Sequence, residues 1–416
     1  MQLHQRNLAL PAPARLTRRK VKRAEILNPM PLVFHRFIAL LLFGLLGPFV
    51  AADLLAQEAK PAPATLSDGP YVLWQGRQAT VLSVHDGIRH EYRLTEPFEL
   101  DLPGLTPIRL DPASPGAAAS AIFAPDRIAA VSDIHGNFRG LVALLQAHHI
   151  IDAQKNWSFA HNHLVIIGDI FDRGSQVTEV LWLLRQLEAQ AQSAGGRVHV
   201  LLGNHEIGAL RGDERYLHPN YVFLQKKVLG TDQKTLYGPA TEMGRWLRSR
   251  PVLLRIGSFL FAHGGPSPAM LPEEREIEAF NDAFRKVIDL EGSQRLLGRD
   301  SPIWYRGLIP GKELKRPDAS TEEIEQILRA FGVRTIVVGH STIRRGISTF
   351  HSGRVHGIDA DLQSGGTGEI WLFRNGACFR GQGDGSSSPL ALFGSSVERS
   401  LLQAVRPGAL IFPAPR

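Results

Sequence analysis

Cysteine is almost missing from this 416-residue chain: Cys378 stands alone, so neither an internal disulfide nor a cysteine-rich zinc module can form. Any metal held here must be bound through nitrogen and oxygen. Long apolar runs are scarce as well, the longest being residues 37–52. At about 16 residues it is shorter than the ~20 usually needed to span a bilayer. The body of the chain also lacks an excess of charge of either sign. Residues 1–60 carry nine Lys/Arg against three acids, leaving 38 basic and 37 acidic residues in the remainder. The isoelectric point near 9.7 therefore belongs to the leader, and the body gives no reason to expect nucleic acid as a partner.

What is present divides the chain into four stretches. Apolar run 37–52 follows His35 and Arg36 and precedes an Ala/Pro-rich segment, which reads as a secretory signal. The small residues Val50 to Ala52 suit cleavage best, a mature start is expected between about Asp53 and Lys60, and Met30 is a plausible true start. The expectation is a periplasmic or secreted protein, with membrane attachment through an uncleaved leader as the alternative. Residues 1–60 are thus leader and linker. Residues 61–120 read as a small β module, because 71–74, 79–84 and 88–94 are rich in Val, Tyr and Trp and are separated by Gln75-Gly76 and Asp86-Gly87 turns. From 121 to 382 short apolar strands (127–132, 163–167, 197–202, 252–262, 334–338) alternate with helical patterns at 138–149 and 176–192, an α/β arrangement. Residues 383–416 read as a flexible extension with a short helix at 397–405.

Ligands of α/β folds gather beyond the carboxyl ends of strands. The first strand here ends in Asp133-Ile134-His135-Gly136-Asn137 and the second in Gly168-Asp169-Ile170-Phe171-Asp172-Arg173-Gly174. Gly203-Asn204-His205-Glu206, His263-Gly264-Gly265 and Gly339-His340 end the next three. A single such His or Asp is ordinary loop chemistry; five in this order, each at a strand end, are not.

This set resembles the calcineurin-like metallophosphoesterases, specifically the branch with the phosphoprotein phosphatases. Ser301-Pro302-Ile303-Trp304-Tyr305-Arg306-Gly307 and Val337-Val338-Gly339-His340-Ser341 are most similar to the bacterial Shewanella-like phosphatases. The resemblance covers roughly residues 127–373 and implies a β-sandwich flanked by helices (αββα), here with the small N-terminal β module. It also implies two divalent metal ions, Mn, Fe or Zn with manganese favoured, roughly 3.5–4 Å apart, acidifying a bridging water that attacks a phosphate ester. By that resemblance Asp169 bridges the metals, Asp133 and His135 complete one set, and Asn204, His263 and His340 complete the other. His205 protonates the leaving group with Asp172 as its orienting carboxylate, while Arg173, Arg306 and Asn204 bind substrate phosphate. The spacing of Asp133 and His135 suggests two side chains converging from one face of an extended segment. Thr342 stands where many nuclease-like relatives carry a second His, which favours the phosphatase branch.

The function expected is a phosphomonoesterase acting on phosphorylated proteins or small phosphoesters, with phosphotyrosine preferred and Trp304 and Tyr305 offered as an aromatic wall. A dinucleoside polyphosphate hydrolase, or another phosphodiesterase of the superfamily, is the alternative. His148, His149, His161 and His163 are expected to stay outside the site.

Overall fold

The structure is a computed structural model that describes residues 66–271, 276–313, 317–365 and 368–390. The leader with Met30, and the helix expected at 397–405, lie outside the described residues. No helix among the described residues is long and apolar enough to cross a membrane.

Two six-stranded sheets form the body. One contains β7 (Arg127–Val131), β8 (His163–Ile166) and β9 (Arg197–Val200), which are parallel; beside β7 lie β15 (Glu369–Arg374), β16 (Ala377–Gln382) and β17 (Ser387–Pro389). The other runs β13 (Ser348–Phe350), β14 (Val355–Gly357), β12 (Thr335–Val338), β11 (Phe259–Ala262), β10 (Leu253–Ile256) and β6 (Ala121–Ile122). Alternation of side chains along each strand decides how the sheets stack. Ile128, Ala130, Val165, Leu254, Phe259, Phe261, Val337 and Trp371 share one apolar cluster between the sheets. Their neighbours Ala129, Val131, Leu164, Ile166, Leu260, Ala262, Ile336 and Val338 point the other way, into the cluster shared with the helices. The result is the αββα sandwich.

The helices follow from caps and stripes. In α1 (Phe138–Ala147) the Asn137 side chain accepts from Gly140 N, and Leu141, Leu144 and Leu145 form the buried stripe. Helix α2 (Val177–Ser193) buries Val180, Leu181, Leu184 and Leu187. Helix α3 (Asn204–Arg211) begins directly after β9, and α4 (Glu242–Arg248) is capped by Thr241. Residues 252–262 make a hairpin rather than one strand: Gly257, at φ 56°, and Ser258 turn the chain between antiparallel β10 and β11. Glycine in the left-handed region is what that two-residue turn requires.

Ahead of the sandwich, β1 (Asp68–Gln75), β2 (Gln78–His85) and β3 (Ile88–Leu94) form an antiparallel meander, followed by the short antiparallel pair β4 (Glu99–Leu100) and β5 (Ile108–Arg109). Tyr71, Val72, Trp74 and Val81 belong to the same apolar cluster as Leu181 and Leu247, so the meander shares the core of the body. At the other end the sheet runs on past residue 382 through β17.

Candidate metal centre and catalytic site

Parallel β7, β8 and β9 deliver three loops to one end of their sheet, and parallel β11 and β12 deliver two from the other. Pairing continues past the strands. Asp133 N donates to Gly168 O (3.2 Å), His135 N to Asp169 O (2.9 Å), and Gly339 N to His263 O (2.9 Å). The chain turns sharply here: Asp133, His135, Asp169, Asp172, Arg173 and His340 all have φ between 46° and 69°. Asp133 and His135 therefore converge from left-handed backbone and not from an extended face, contrary to the expectation from their spacing. For side chains other than glycine that conformation costs roughly 1–2 kcal/mol per residue, met here by the surrounding hydrogen bonds. Close approach excludes larger residues at two glycines. A Cβ on Gly339 would lie 1.8 Å from Ser132 Oγ, and one on Gly203 would lie 2.3 Å from Asp169 Oδ1.

Every Asp and His expected in the site is buried at this end. Asp169 is central: Oδ2 lies 3.1 Å from His263 Nε2, 3.7 Å from His135 Nε2 and 3.8 Å from His205 Nε2. His263 Nε2 also stands 3.2 Å from Asn204 Oδ1 and 3.2 Å from His340 Nδ1. Potential ligand atoms of Asp169, His263 and His340 fall within 4.8 Å of one another, as do those of His135, Asp169 and His205. Asp133 Oδ2 accepts from Ser132 Oγ (2.5 Å) and from His340 N (2.9 Å).

Hydrogen bonds fix the imidazole tautomers. His135 Nδ1 donates to the Phe171 carbonyl (2.6 Å) and His263 Nδ1 to the Ile167 carbonyl (2.8 Å), turning both Nε2 atoms inward. His135 Nε2 and His340 Nε2 are buried without a hydrogen-bond partner, as nitrogens meant for a cation are. This all-nitrogen-and-oxygen donor set fits divalent metals. His205 differs, because its Nδ1 donates to a carboxylate, Asp172 Oδ2, at 2.6 Å.

The electrostatics divide along the same lines. Burial drives the His135 pKa down to about 4, and burial with the neighbouring His263 holds His340 well below the ordinary value, so both are neutral. Burial also opposes charge on His263, but Asp169 outweighs it and lifts that pKa to about 10. Burial is likewise overcome at His205, whose pKa is raised by Asp169 and Asp172. Asp169, despite burial, is held well below the carboxylate range by His263 and His205, whereas burial and Asp359 push Asp133 up.

Arg173 is exposed and anchored through its backbone N to the Tyr216 carbonyl (2.9 Å). Arg306 is half-buried, and its guanidinium donates to the His340 carbonyl (2.6 Å). Trp304 is exposed with its ring 5.6 Å from that of His340, but Tyr305 is only 5% exposed and lies in the core. The aromatic wall expected from Trp304 and Tyr305 thus loses Tyr305, whose backbone lies against Gly264. The residues His148, His161 and His163 bond elsewhere, to the Gln382 carbonyl, Asp126 and His199 respectively.

Three residues escaped the sequence reading. Tyr216 is 50% exposed with its ring 5.4 Å from that of His205. Asp359 is buried and accepts from Thr342 Oγ1 (2.7 Å). Glu206 is fully buried and ties two loops together, accepting from Gly203 N (2.7 Å), Asp169 N (2.8 Å) and Ile170 N (2.7 Å). Only Glu206 carries a signal, since it stands three residues after Gly203 at a helix start, where an acid reaches back to the capping amide.

The pattern has counterparts. A model of the calcineurin-like phosphoesterases matches residues 126–343. A solved structure of a cold-active protein-tyrosine phosphatase from a psychrophilic Shewanella species is 33% identical, with a TM-score of 0.72 over 79% of this chain and 100% of that one. Shewanella-like protein phosphatase 2 of Arabidopsis thaliana is 24% identical over 61% of this chain and 76% of its own. A symmetrical bis(5'-nucleosyl)-tetraphosphatase of Vibrio campbellii is 29% identical, over only 33% of this chain and 44% of its own.

Proposed function

This chain belongs to the calcineurin-like phosphoesterase family and is a phosphatase; from that premise we propose a binuclear metal-dependent phosphomonoesterase of the protein-phosphatase type, with a preference for aryl esters such as phosphotyrosine. The observation that carries this reading is the clustering of Asp169 with four histidines at one end of the sandwich, one of them, His205, paired with a second carboxylate.

Asp133, His135 and Asp169 would hold one cation, and Asp169, Asn204, His263 and His340 the other. Divalent cations supply two things in such a site, neutralisation of the ester's negative charge and a more acidic water. The protein's own groups do the rest. The Arg173 fork, with Arg306 beside His340, takes up phosphate oxygens. His205 is the acid: the Asp172 carboxylate keeps the proton on Nδ1 and favours the charged ring, so Nε2 delivers a proton to the departing oxygen. Among the buried histidines of the site, His205 is set apart by a carboxylate partner on Nδ1, where His135 and His263 have backbone carbonyls.

The aryl preference is supported by Tyr216 and Trp304, exposed rings beside His205 and His340. It is also in keeping with the tyrosine-phosphatase name of the Shewanella relative. A dinucleoside polyphosphate hydrolase has less support, because the matching tetraphosphatases share only a third to under half of the chain. Turnover of para-nitrophenyl phosphate, its bis-ester, a dinucleoside tetraphosphate and phosphotyrosine and phosphoserine peptides tests the reading. Monoesters should be cleaved fastest and phosphotyrosine faster than phosphoserine. Chelation should abolish turnover and manganese should restore it best; preferential cleavage of the bis-ester or the tetraphosphate would refute the monoesterase assignment.

A further inference from the structure

We propose that this protein carries a second anion site, separate from the catalytic loops, which binds a small oxyanion such as inorganic phosphate between Arg185, Arg197 and Arg250. The site is a cavity of about 240 Å³ bounded by α2, by β9 at the edge of one sheet, and by residues 118–122 at the edge of the other. Arg197 opens β9 and the lining follows that strand to Val200, and none of the side chains of the candidate catalytic site lines the cavity. The volume is below the roughly 300–1,000 Å³ of cavities that take drug-sized ligands, and suits phosphate, sulfate or a short carboxylate.

Charge gives the cavity its selectivity. Three guanidiniums line it against one carboxylate, Glu188. That carboxylate is already engaged, accepting from Arg250 Nη1 (2.5 Å), Arg185 Nη1 (2.9 Å) and Trp246 Nε1 (2.8 Å). Glu242 reaches Arg185 from behind, but it is shared with Arg245. Arg197 has no acidic partner among the described residues, and Arg185 Nε is buried without any hydrogen-bond partner. Arg250 is only 6% exposed, and burial, aided by Arg185 and Arg285, outweighs the support of Glu188 for its charge. Glu188 thus serves Arg185 and Arg250, Arg197 adds a charge that no carboxylate of the cavity matches, and a bound oxyanion would supply the missing partner.

The cavity is also preorganised. Arg185 and Arg250 both pack on the Trp246 ring, at 5.7 and 5.0 Å, so their forks are fixed before anything binds. Guanidinium forks recognise planar pairs of oxygens, which phosphate, sulfate and carboxylate all present. Oxyanion is therefore the shared ligand class, and the probes below separate its members.

The test is thermal unfolding of the metal-loaded enzyme against increasing inorganic phosphate, with sulfate and malonate in parallel. Arg173→Ala serves as the background, so that phosphate uptake at the catalytic end is weakened. A phosphate-dependent rise in Tm should persist in that background. Adding Arg197→Glu should raise the phosphate concentration required by roughly tenfold or more, the equivalent of one lost and reversed charge. Arg197 is exposed, so Arg197→Glu alone should fold and turn over para-nitrophenyl phosphate normally. Arg250→Lys, which keeps the charge and removes the fork, should weaken the response as well. A response to malonate as strong as to phosphate assigns a carboxylate, and a response to phosphate and sulfate alone assigns a tetrahedral anion. An identical phosphate response with and without Arg197→Glu, or no selenium signal between the three arginines in a crystal soaked with selenate, overturns the site.

Discussion

Removing the Asp169 carboxylate and removing the His205 proton should have different signatures. Asp169→Asn takes the charge that three histidines face, and it should lose metal and nearly all turnover, as read by metal analysis and rate together. His205→Asn should keep its metals and lose roughly 100- to 10,000-fold in rate, with a smaller loss for esters of acidic phenols that need no proton. Equal losses for activated and unactivated esters would remove His205 from the acid role. These residues were legible in the sequence because each sits in a short motif whose glycines and strand ends mark it. Tyr216 and Asp359 were not, because nothing local distinguishes a loop Tyr or a buried Asp until the chain is folded around His205 and Thr342. A buried histidine outside the candidate site contributes to acid stability. His356 is fully buried, accepts from Trp371 Nε1 (2.8 Å), and has its pKa lowered by burial to about 4. Its folded pKa lies below the ordinary 6.5. The unfolded chain therefore binds the extra proton, and stability present above pH 6.5 is lost as the pH falls towards 4, by roughly 3 kcal/mol. Denaturant midpoints across that range should fall less steeply in His356→Asn.

At the scale of loops and strands, the proposed aryl preference rests on the segment after α3. Asp213 and Arg215 are paired at 2.5 Å, Arg215 lies over the Tyr216 ring at 5.6 Å, and the Tyr216 carbonyl accepts from Arg173 N. One loop thus presents an aromatic surface beside His205 and steadies the backbone of Arg173. Tyr216→Leu should lower the kcat/KM ratio of phosphotyrosine to phosphoserine peptides several-fold, since a ring contact is worth about 0.5–1.5 kcal/mol beyond burial. Tyr305→Ala should instead destabilise the fold by roughly 3–5 kcal/mol, leaving the ratio unchanged in the folded fraction. A ratio that moves with Tyr305 and not with Tyr216 reverses this assignment. The strands themselves were readable from apolar runs, but a run cannot show where it folds back. The single strand expected at 252–262 is two because Gly257 supplies a turn that hydrophobicity hides. The extended geometry expected around Asp133 and His135 failed for a related reason: tertiary hydrogen bonds to the Gly168 and Asp169 carbonyls accompany the left-handed backbone.

Across the whole molecule, the N-terminal meander is sewn to the body by polar as well as apolar contacts. Trp74 N donates to the Ala240 carbonyl (2.8 Å), Trp74 Nε1 to Glu242 (2.9 Å), Trp182 Nε1 to the Pro70 carbonyl (3.0 Å) and Thr178 Oγ1 to Asp68 (2.7 Å). With the apolar cluster continuous from Tyr71 to Leu372, calorimetry should show the meander and the sandwich melting in a single transition; an earlier separate transition lost on cleavage after β3 would contradict it. The Glu206 clamp has its own consequence at this scale. Loop amides ordinarily trade hydrogen for deuterium long before those of strands. Here the amides of Asp169, Ile170 and Gly203 are held by one buried carboxylate and should exchange as slowly as the middle of β8, until Glu206→Gln releases them. The end of the sandwich that gathers the buried carboxylates and histidines would then be among its stiffest parts, and under the proposed function any accommodation of differently shaped esters would fall to the segment that bears Tyr216.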